Sequence, residues 1–405
     1  MARRVALFSV HTSPLAQPGS GDGGGMNVYV DSIARSLAAA GVTCDVFTRA
    51  DALDVPQVVE VTPGYRVVKI EAGPLRSVAS YAWPGLIDEY TAAARSFILA
   101  NGSYDVLHAN YWVSGAVAHA LKHDLDVPLV TTFHTLALVK EQAGFDSEPE
   151  RELIEASVMR CSDVMLANTI DERDQLVGMY GATPSRIEVL SPGVDHEVFN
   201  PHGRVADRSA IGFPGKKIIL FAGRIQPLKG ADVAVRVVAM LKDPDAHLLL
   251  VGGPSGIDGE REMRRLRALV EELDVVGQVS FVPPQSHNAL AQYYRAADVC
   301  VVPSRTESFG LVALEAAACG TPVVASAVGG LTHIVADGQS GFLVGCCDAA
   351  NFVEPVRQVL NDPALADELS RGATRLAAMR SWSVAGARLR RLYADLGARE
   401  LVLCK

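Results

Sequence analysis

Two series of short apolar runs, each alternating with longer helical patterns, constrain this chain more than any other feature. The first series begins at residues 5–10 and ends at 187–190, and the second begins at residues 217–222 and ends at 322–325. Such alternation is typical of β-α units built around parallel sheets. The sequence therefore predicts an α/β protein with two doubly wound domains.

A stretch rich in proline and glycine, residues 195–215, separates the two series. We expect an interdomain boundary near residue 200, because such composition is common in linkers. This gives one domain over residues 1–200 and another over residues 201–380. Residues 351–396 have a helical pattern throughout, and Trp382, Leu389 and Leu392 form an apolar stripe. Residues 381–405 are therefore predicted to form a helix that packs back on the first domain.

The charge and cysteine content limit the partners and the compartment. A formal net charge of −9 argues against a general nucleic-acid-binding or anionic-membrane surface. The apolar run at residues 5–10 is too short to span a membrane. Seven cysteines without C-x-x-C spacing indicate neither a zinc site nor a disulfide framework, which favours the cytoplasm. Cys346 and Cys347 are interpreted as structural or incidental.

A glycine-rich loop, residues 19–25, lies between the first predicted strand and a helix that opens at Met26. Glycines let the backbone approach a ligand closely, and a helix N-terminus offers N–H groups to an anion. No Lys-Ser or Lys-Thr follows, which disfavours a Walker ATPase. The second strand lacks a terminal acidic residue, which weakens an NAD-binding reading. A flexible turn remains the alternative.

Two cations, Arg224 and Lys229, lie in the predicted turn after the first strand of the second domain. Doubly wound sheets bind ligands at the carboxyl ends of their strands. Since no metal-binding cluster is apparent in the sequence, these cations suit a diphosphate leaving group, and no metal is predicted. The alternative is a pair of solvated loop residues.

Two carboxylates, Glu307 and Glu315, flank a predicted loop-to-helix junction. Glu307 would face a ligand from the loop, while Glu315 lies about two turns into the helix. Carboxylates accept hydrogen bonds from neighbouring hydroxyls, so two sugars, or a sugar and a ribose, suit this pair. The alternative is an ordinary surface glutamate and an ordinary helical one.

Taken together, these segments resemble the GT-B glycosyltransferases of the large retaining family 4, which includes the sucrose synthases. Within that family they are similar to the inositol-phosphate glycosyltransferases of the mycothiol pathway. The segments that carry the resemblance are residues 11–15, 21–29, 111–112, 134–136, 223–230 and 252–256. The resemblance implies two Rossmann-like domains that face a cleft. The first would bind the acceptor and the second the nucleotide sugar.

The resemblance also implies the reaction and three sets of site residues. A hexosyl unit would pass from a nucleoside diphosphate sugar to a small polar acceptor by same-face attack, without a cofactor or metal. The catalytic set is Arg224, Lys229 and His134. The donor-binding set is Gly25, Glu307, Ser308, Phe309, Gly310, Leu311 and Glu315. The acceptor-binding set is Asn27, Tyr111, Thr135, Arg151 and Ser80. The family also allows a homodimer.

One position departs from the inositol-phosphate enzymes. They have a lysine after the Ala-Gly-Pro segment, where this chain has Ser80, and Arg76 is a substitute cation if the loop folds back. The missing cation favours an alternative acceptor, non-phosphorylated or zwitterionic, as in lincosamide or aminocyclitol antibiotic biosynthesis. A GT-B sugar-nucleotide epimerase is a weaker alternative. A phosphorylase would need a pyridoxal-binding lysine motif, which is not apparent.

Overall fold

The computed structural model describes residues 3–19, 21, 23–53, 55–256, 259–345, 348–397 and 400–403. Asp22 of the glycine loop, Cys346 and Cys347 lie outside the described residues. The chain forms two compact units. The first comprises Met1–Ala16, Gly25–Ser191 and Trp382–Lys405, and the second comprises Gln17–Gly24 and Pro192–Ser381.

The first unit is built on an eight-stranded sheet with the order β3-β4-β2-β1-β5-β6-β7-β8. Its strands are β1 (Arg4–Phe8), β2 (Thr43–Arg49), β3 (Val58–Thr62), β4 (Tyr65–Ile70), β5 (Val106–Asn110), β6 (Leu129–Thr132), β7 (Val164–Ala167) and β8 (Ile187–Val189). Its helices include α1 (Gly25–Ala39), α2 (Ile87–Asn101), α3 (Trp112–Leu125), α4 (Ala137–Gln142), α5 (Pro149–Cys161) and α6 (Ile170–Tyr180). All the described strand pairs are parallel except the antiparallel β3–β4 pair at the edge.

The second unit is built on a six-stranded sheet with the order β11-β10-β9-β12-β13-β14. Its strands are β9 (Lys217–Ala222), β10 (Ala246–Val251), β11 (Val279–Val282), β12 (Val299–Val302), β13 (Val323–Ser326) and β14 (Gly341–Val344). Its helices are α7 (Arg204–Ala210), α8 (Ala231–Leu241), α9 (Gly259–Glu272), α10 (His287–Ala296), α11 (Leu311–Ala318), α12 (Leu331–Ile334), α13 (Ala349–Asn361) and α14 (Pro363–Ala378).

The last helix, α15 (Trp382–Leu396), belongs to the first unit and packs on α1. The Trp382 ring meets the Tyr29 ring edge-on with centroids 5.8 Å apart, and the Ser36 hydroxyl donates to the Trp382 carbonyl at 3.0 Å. Gly386 permits this approach, since a Cβ there would lie 2.2 Å from Ser36 Oγ. The two helices therefore bury one face of each other.

The structure refines two sequence-based expectations. Residues 351–396 form three helices, because the Asp362 side chain caps α14 by accepting from the Ala364 and Leu365 amides. The predicted linker, residues 195–215, contains α7, and it is not the division between the units, which falls after Ser191. Helix α7 is held by ion pairs of its arginines with Asp298, so this stretch is part of a folded unit.

Both sheets reverse their strand order, and these reversals position the site. In the first sheet the reversal lies between β1 and β5, and in the second it lies between β9 and β12. Loops leave a doubly wound sheet in opposite directions at such a point, which opens a crevice at the carboxyl ends of the strands. Among the described helices, none is both long and apolar enough to cross a bilayer.

Candidate active site

The loops that follow β9 and β12 lie against each other in the second unit. The β9 loop carries Arg224 and ends in a short 3-10 helix, Pro227–Lys229, before Gly230. Gly230 has a φ of +69°, and a Cβ there would lie 2.2 Å from the Pro303 carbonyl oxygen. The Arg305 amide also donates to the Leu228 carbonyl at 2.8 Å. The glycine thus permits the close approach that joins the two loops.

This approach brings a predicted cation to a predicted sugar-binding carboxylate. Lys229 Nζ lies 2.6 Å from Glu307 Oε2, and the Ser304 hydroxyl donates to the same oxygen at 3.2 Å. Both charged side chains are only partly exposed. The pair can therefore present positive and negative hydrogen-bonding groups side by side to one ligand.

Arg224 lies beside the glycine loop. Its Nη1 is 3.5 Å from Ser255 Oγ, and the Gln226 amide, turned with its oxygen towards Arg224, accepts from Nε and Nη2 at 3.2 Å. A Cβ on Gly24 would come within 3.0 Å of Arg224 Nε. Residues 17–24 belong to this second unit, where the Gly253 amide donates to the Gly19 carbonyl at 2.9 Å. The glycine loop therefore lies next to the Arg224 side chain and forms one side of this site.

The remaining predicted donor-binding residues surround the start of α11. Gly310 precedes the helix with a φ of +99°, Phe309 is buried, and Ser308 and Leu311 are half-buried. Glu315 is buried in the helix, where its Oε2 accepts from the Tyr294 hydroxyl at 2.9 Å. Burial raises the pKa of Glu315 to about 7. Gly25 belongs to the first unit and is exposed at the start of α1.

In the first unit, His134 follows β6 with a φ of +63°. Its Nε2 lies 2.9 Å from Asn110 Oδ1 at the end of β5, and the Tyr29 ring packs edge-on at 4.9 Å between centroids. Because Asn110 offers an oxygen, Nε2 carries the hydrogen. Burial lowers the pKa of His134 to about 3, so the imidazole is neutral near pH 7.

The structure brings three predicted acceptor-binding residues together. The Arg151 guanidinium carbon lies 4.9 Å from the centre of the Tyr111 ring, and its Nη2 donates to the Thr135 carbonyl at 2.8 Å and hydroxyl at 3.0 Å. Arg151 is 4% exposed and also pairs with Glu155 at 2.7 Å and Glu148 at 2.8 Å. Its charge is therefore balanced within the protein.

The two other acceptor-binding predictions lie elsewhere in the first unit. Asn27 is 1% exposed, and its Nδ2 donates to the Thr12 hydroxyl at 2.8 Å and to the Ser13 carbonyl at 2.6 Å. In this structure Asn27 holds that turn. Ser80 begins a short 3-10 helix, Ser80–Ala82, and Arg76 is exposed on the preceding loop.

Several residues that support the site are absent from the sequence prediction. They are Arg49, Asn110, Glu148, Glu155 and Tyr294. Arg49 is 6% exposed and donates to the carbonyls of Ala72, Pro74 and Arg76, so it holds the loop that leads to Ser80. The spacing of Arg151 and Glu155 is a readable signal, since residues four apart on a helix face each other. Glu148, three residues before Arg151, is also close in sequence, whereas Arg49, Asn110 and Tyr294 reach their partners only through the fold.

One histidine–cysteine group in the described residues has the proximity a metal needs. The ligand atoms of His119, His123 and Cys161 lie within 4.8 Å of one another, on α3 and α5. Cys161 is disulfide-bonded, which the cysteine count and spacing did not predict, and so its sulfur is not a thiolate ligand here. Among the described residues, no such group includes Glu307.

Comparison with known proteins places this geometry in a family. A model described as "Glycosyl transferases group 1" matches residues 204–376, and one described as "Glycosyltransferase Family 4" matches residues 23–198. A D-inositol 3-phosphate glycosyltransferase of Acidothermus cellulolyticus is 46% identical over 393 residues, covering 94% of this chain and 87% of that relative. The chain belongs to glycosyltransferase family 4.

Solved structures agree with this assignment. Sucrose-phosphate synthase from Thermosynechococcus elongatus matches with a TM-score of 0.91 and 34% identity, covering 98% of this chain and 99% of that one. Anabaena HepE in complex with UDP and glucose matches with a TM-score of 0.78, and at 18% identity it supports the fold alone. The predicted GT-B class, with two Rossmann-like units, and the prediction of a glycosyltransferase are confirmed.

Proposed function

We propose that this glycosyltransferase moves a hexosyl unit from a nucleoside diphosphate sugar, held by the second unit, to a small polar acceptor held by the first. The observation that carries the donor part is the 2.6 Å pair of Lys229 and Glu307 at the strand-order reversal. A sugar diphosphate presents hydroxyls and phosphate oxygens side by side. Glu307 can accept hydrogen bonds from the sugar hydroxyls, and Lys229 beside it can pair with a phosphate oxygen.

Each donor group has a residue that suits it. Arg224 and Lys229 would stabilise the charge that grows on the leaving diphosphate, and backbone amides at the start of α11 would add donors. Glu307 would accept from sugar hydroxyls and Glu315 from the ribose. The Anabaena HepE structures, which share this fold, are described as complexes with UDP, with UDP and glucose and with UDP-glucose, and we propose a donor of the same class here.

Retention of configuration would follow from attack on the same face as departure, as the family resemblance implies. The acceptor oxygen would form the new glycosidic bond as the bond to the diphosphate breaks, and the departing phosphate would take the acceptor's proton. His134 is neutral near pH 7, so its part would be to hydrogen-bond and orient a sugar rather than to supply a positive charge.

Inositol phosphate is the acceptor that we favour. Relatives at 44–46% identity are named for this acceptor, and the Tyr111, Thr135 and Arg151 group lies in the first unit. A specific observation favours the second candidate, a non-phosphorylated or zwitterionic acceptor. Arg151 already pairs with Glu148 and Glu155, and Ser80 supplies no cation.

The test has a donor step and an acceptor step. Thermal unfolding is measured with UDP, GDP and ADP, and the nucleotide that binds raises the melting temperature by mass action. Inositol phosphate, inositol and an aminocyclitol are then incubated with the matching hexose donor, and products are weighed by mass spectrometry. A hexosyl adduct supports the proposal. Conversion of the donor into an isomeric sugar without acceptor supports the epimerase instead and refutes transfer.

Ser80→Lys is expected to increase kcat/KM for inositol phosphate about tenfold or more. A lysine there would restore a charge-assisted hydrogen bond, which contributes roughly 1.5–3 kcal/mol. The measurement compares this variant with Ser77→Lys, which adds the same charge on the same loop, where Ser77 is exposed. If the wild type already uses inositol phosphate well and Ser80→Lys changes nothing, Ser80 does not determine the acceptor.

A further inference from the structure

The glutamate assigned to the ribose is held by a single hydroxyl. Glu315 Oε2 accepts from the Tyr294 hydroxyl at 2.9 Å, and within the described residues Tyr294 is the one hydrogen-bond donor to this carboxylate. The carboxylate is buried and has no cation in ion-pair contact among those residues. Its second oxygen retains the capacity to accept from a ligand.

Tyr294 is itself fixed in place. It is fully buried on α10, and its ring packs edge-on against Phe199 with centroids 5.9 Å apart. The Thr321 hydroxyl donates to the Tyr294 carbonyl, so the backbone that carries the ring is tied to the segment after α11. The hydroxyl therefore reaches Glu315 from a rigid frame.

We infer that Tyr294 is a positioning residue for the donor, which orients Glu315 so that it can accept hydrogen bonds from the ribose hydroxyls of a nucleoside diphosphate. This inference rests on the proposed role of Glu315. A buried carboxylate without a cation partner is costly to ionise. The tyrosine hydroxyl offsets that cost, since a hydrogen bond to the charged form favours it.

The other groups around Glu315 do not titrate near neutral pH. Cys300 on β12 and Cys319 after α11 surround it along with Tyr294, and burial raises the pKa of Cys319 to about 12 and of Cys300 and Tyr294 well above their usual values. Arg295, near Cys319, pairs with Asp207. The ionisation near pH 7 in this cluster therefore belongs to Glu315.

The experiment isolates the ribose contact with the full-length protein and two probes, UDP and 2′,3′-dideoxy-UDP. The ribose factor is the Kd of the dideoxy analogue divided by the Kd of UDP, measured by calorimetry from pH 5.5 to 9. Both probes carry the same phosphates, whose second ionisation lies near pH 6, so this ionisation cancels in the ratio. GDP or ADP and its dideoxy analogue replaces UDP if the thermal screen selects that base.

For the wild type we expect a ribose factor that rises as pH increases through about 7, because Glu315 becomes charged there. Tyr294→Phe should lower the factor about tenfold at pH 7 and move its rise to higher pH, because the carboxylate loses the donor that favours ionisation. Tyr293→Phe is the matched control, since it removes the neighbouring hydroxyl of the same helix, and it should match the wild type.

A further pair of variants separates the two claims. Glu315→Gln should reduce the factor and abolish its rise with pH, and adding Tyr294→Phe to it should cause little further change if the tyrosine acts through Glu315. An unchanged factor in Glu315→Gln refutes the ribose role and the inference together. A normal Glu315→Gln loss with an unshifted profile in Tyr294→Phe refutes the inference alone. Thermal unfolding of each variant confirms that it is folded.

Discussion

Replacing Lys229 with alanine is expected to lower kcat by about 10²–10³-fold, the usual cost of removing one preorganised group that stabilises developing charge. The same substitution at Arg224 should have an effect of similar size, because both cations would act on the leaving diphosphate. In Lys229→Ala, Glu307 also loses the cation that lies 2.6 Å away, so the donor sugar should bind more weakly too. Steady-state kinetics at saturating donor measure the loss.

Two substitutions on the same unit provide matched controls. Lys216→Ala removes a half-buried lysine paired with Asp245 at 3.5 Å, and Arg236→Ala removes an exposed arginine of α8. Both should retain kcat within about twofold, because surface ion pairs contribute little. Wild-type turnover by both Lys229→Ala and Arg224→Ala would refute their role in stabilising the diphosphate.

Arg151→Ala is expected to lower the free energy of unfolding by about 3–5 kcal/mol and to raise the KM for the acceptor. The stability loss follows because Glu155 is fully buried and would lose its ion-pair partner. The KM effect follows because Arg151 holds Thr135 through two hydrogen bonds. Denaturant unfolding measures the first effect, and acceptor kinetics well below the melting temperature measure the second.

The companion variants separate charge imbalance from a lost contact. Adding Glu155→Gln to Arg151→Ala should recover much of the stability. The backbone N–H of Ala137 donates to Glu155 Oε2 at 3.0 Å, and the side-chain oxygen of the glutamine can accept the same hydrogen bond. Arg160→Ala removes an exposed arginine from the same helix and should leave stability unchanged within about 0.5 kcal/mol. Full stability of Arg151→Ala would contradict the buried pair.

The fold was predictable where burial leaves a simple signature. Strands such as β9 and β10 are buried on both faces and so have continuous apolar sequence. The edge strand β3 (Val58–Thr62) has no such signature, because it is partly exposed and pairs antiparallel through a bulge near Glu60. Helix α3 also has a weak signature, since its buried residues cover much of its surface and leave little amphipathic pattern.

The sequence predicts which residues belong to the candidate site, but it does not predict which of them contact each other. The sequence indicates Lys229 and Glu307 separately, but their contact depends on two neighbouring strands whose loops are far apart along the chain. The hydrogen bond from Tyr294 to Glu315 joins two helices, α10 and α11, and the spacing of the two residues along the chain does not indicate it. Sequence spacing indicates Glu155 as a partner of Arg151, one helical turn away, but it does not indicate the hydrogen bonds of Arg151 with Thr135.

The return of α15 to the first unit determines the order in which this protein can be completed. During synthesis, residues 192–381 of the second unit are all added to the chain before Trp382, while the α1 residues that Trp382 covers are among the first to be made. Domains generally fold as units as they emerge, so the unit that starts first is the last to finish. A chain that ends before α15 leaves the apolar face of α1 around Tyr29 exposed. We expect such a chain to aggregate through this face.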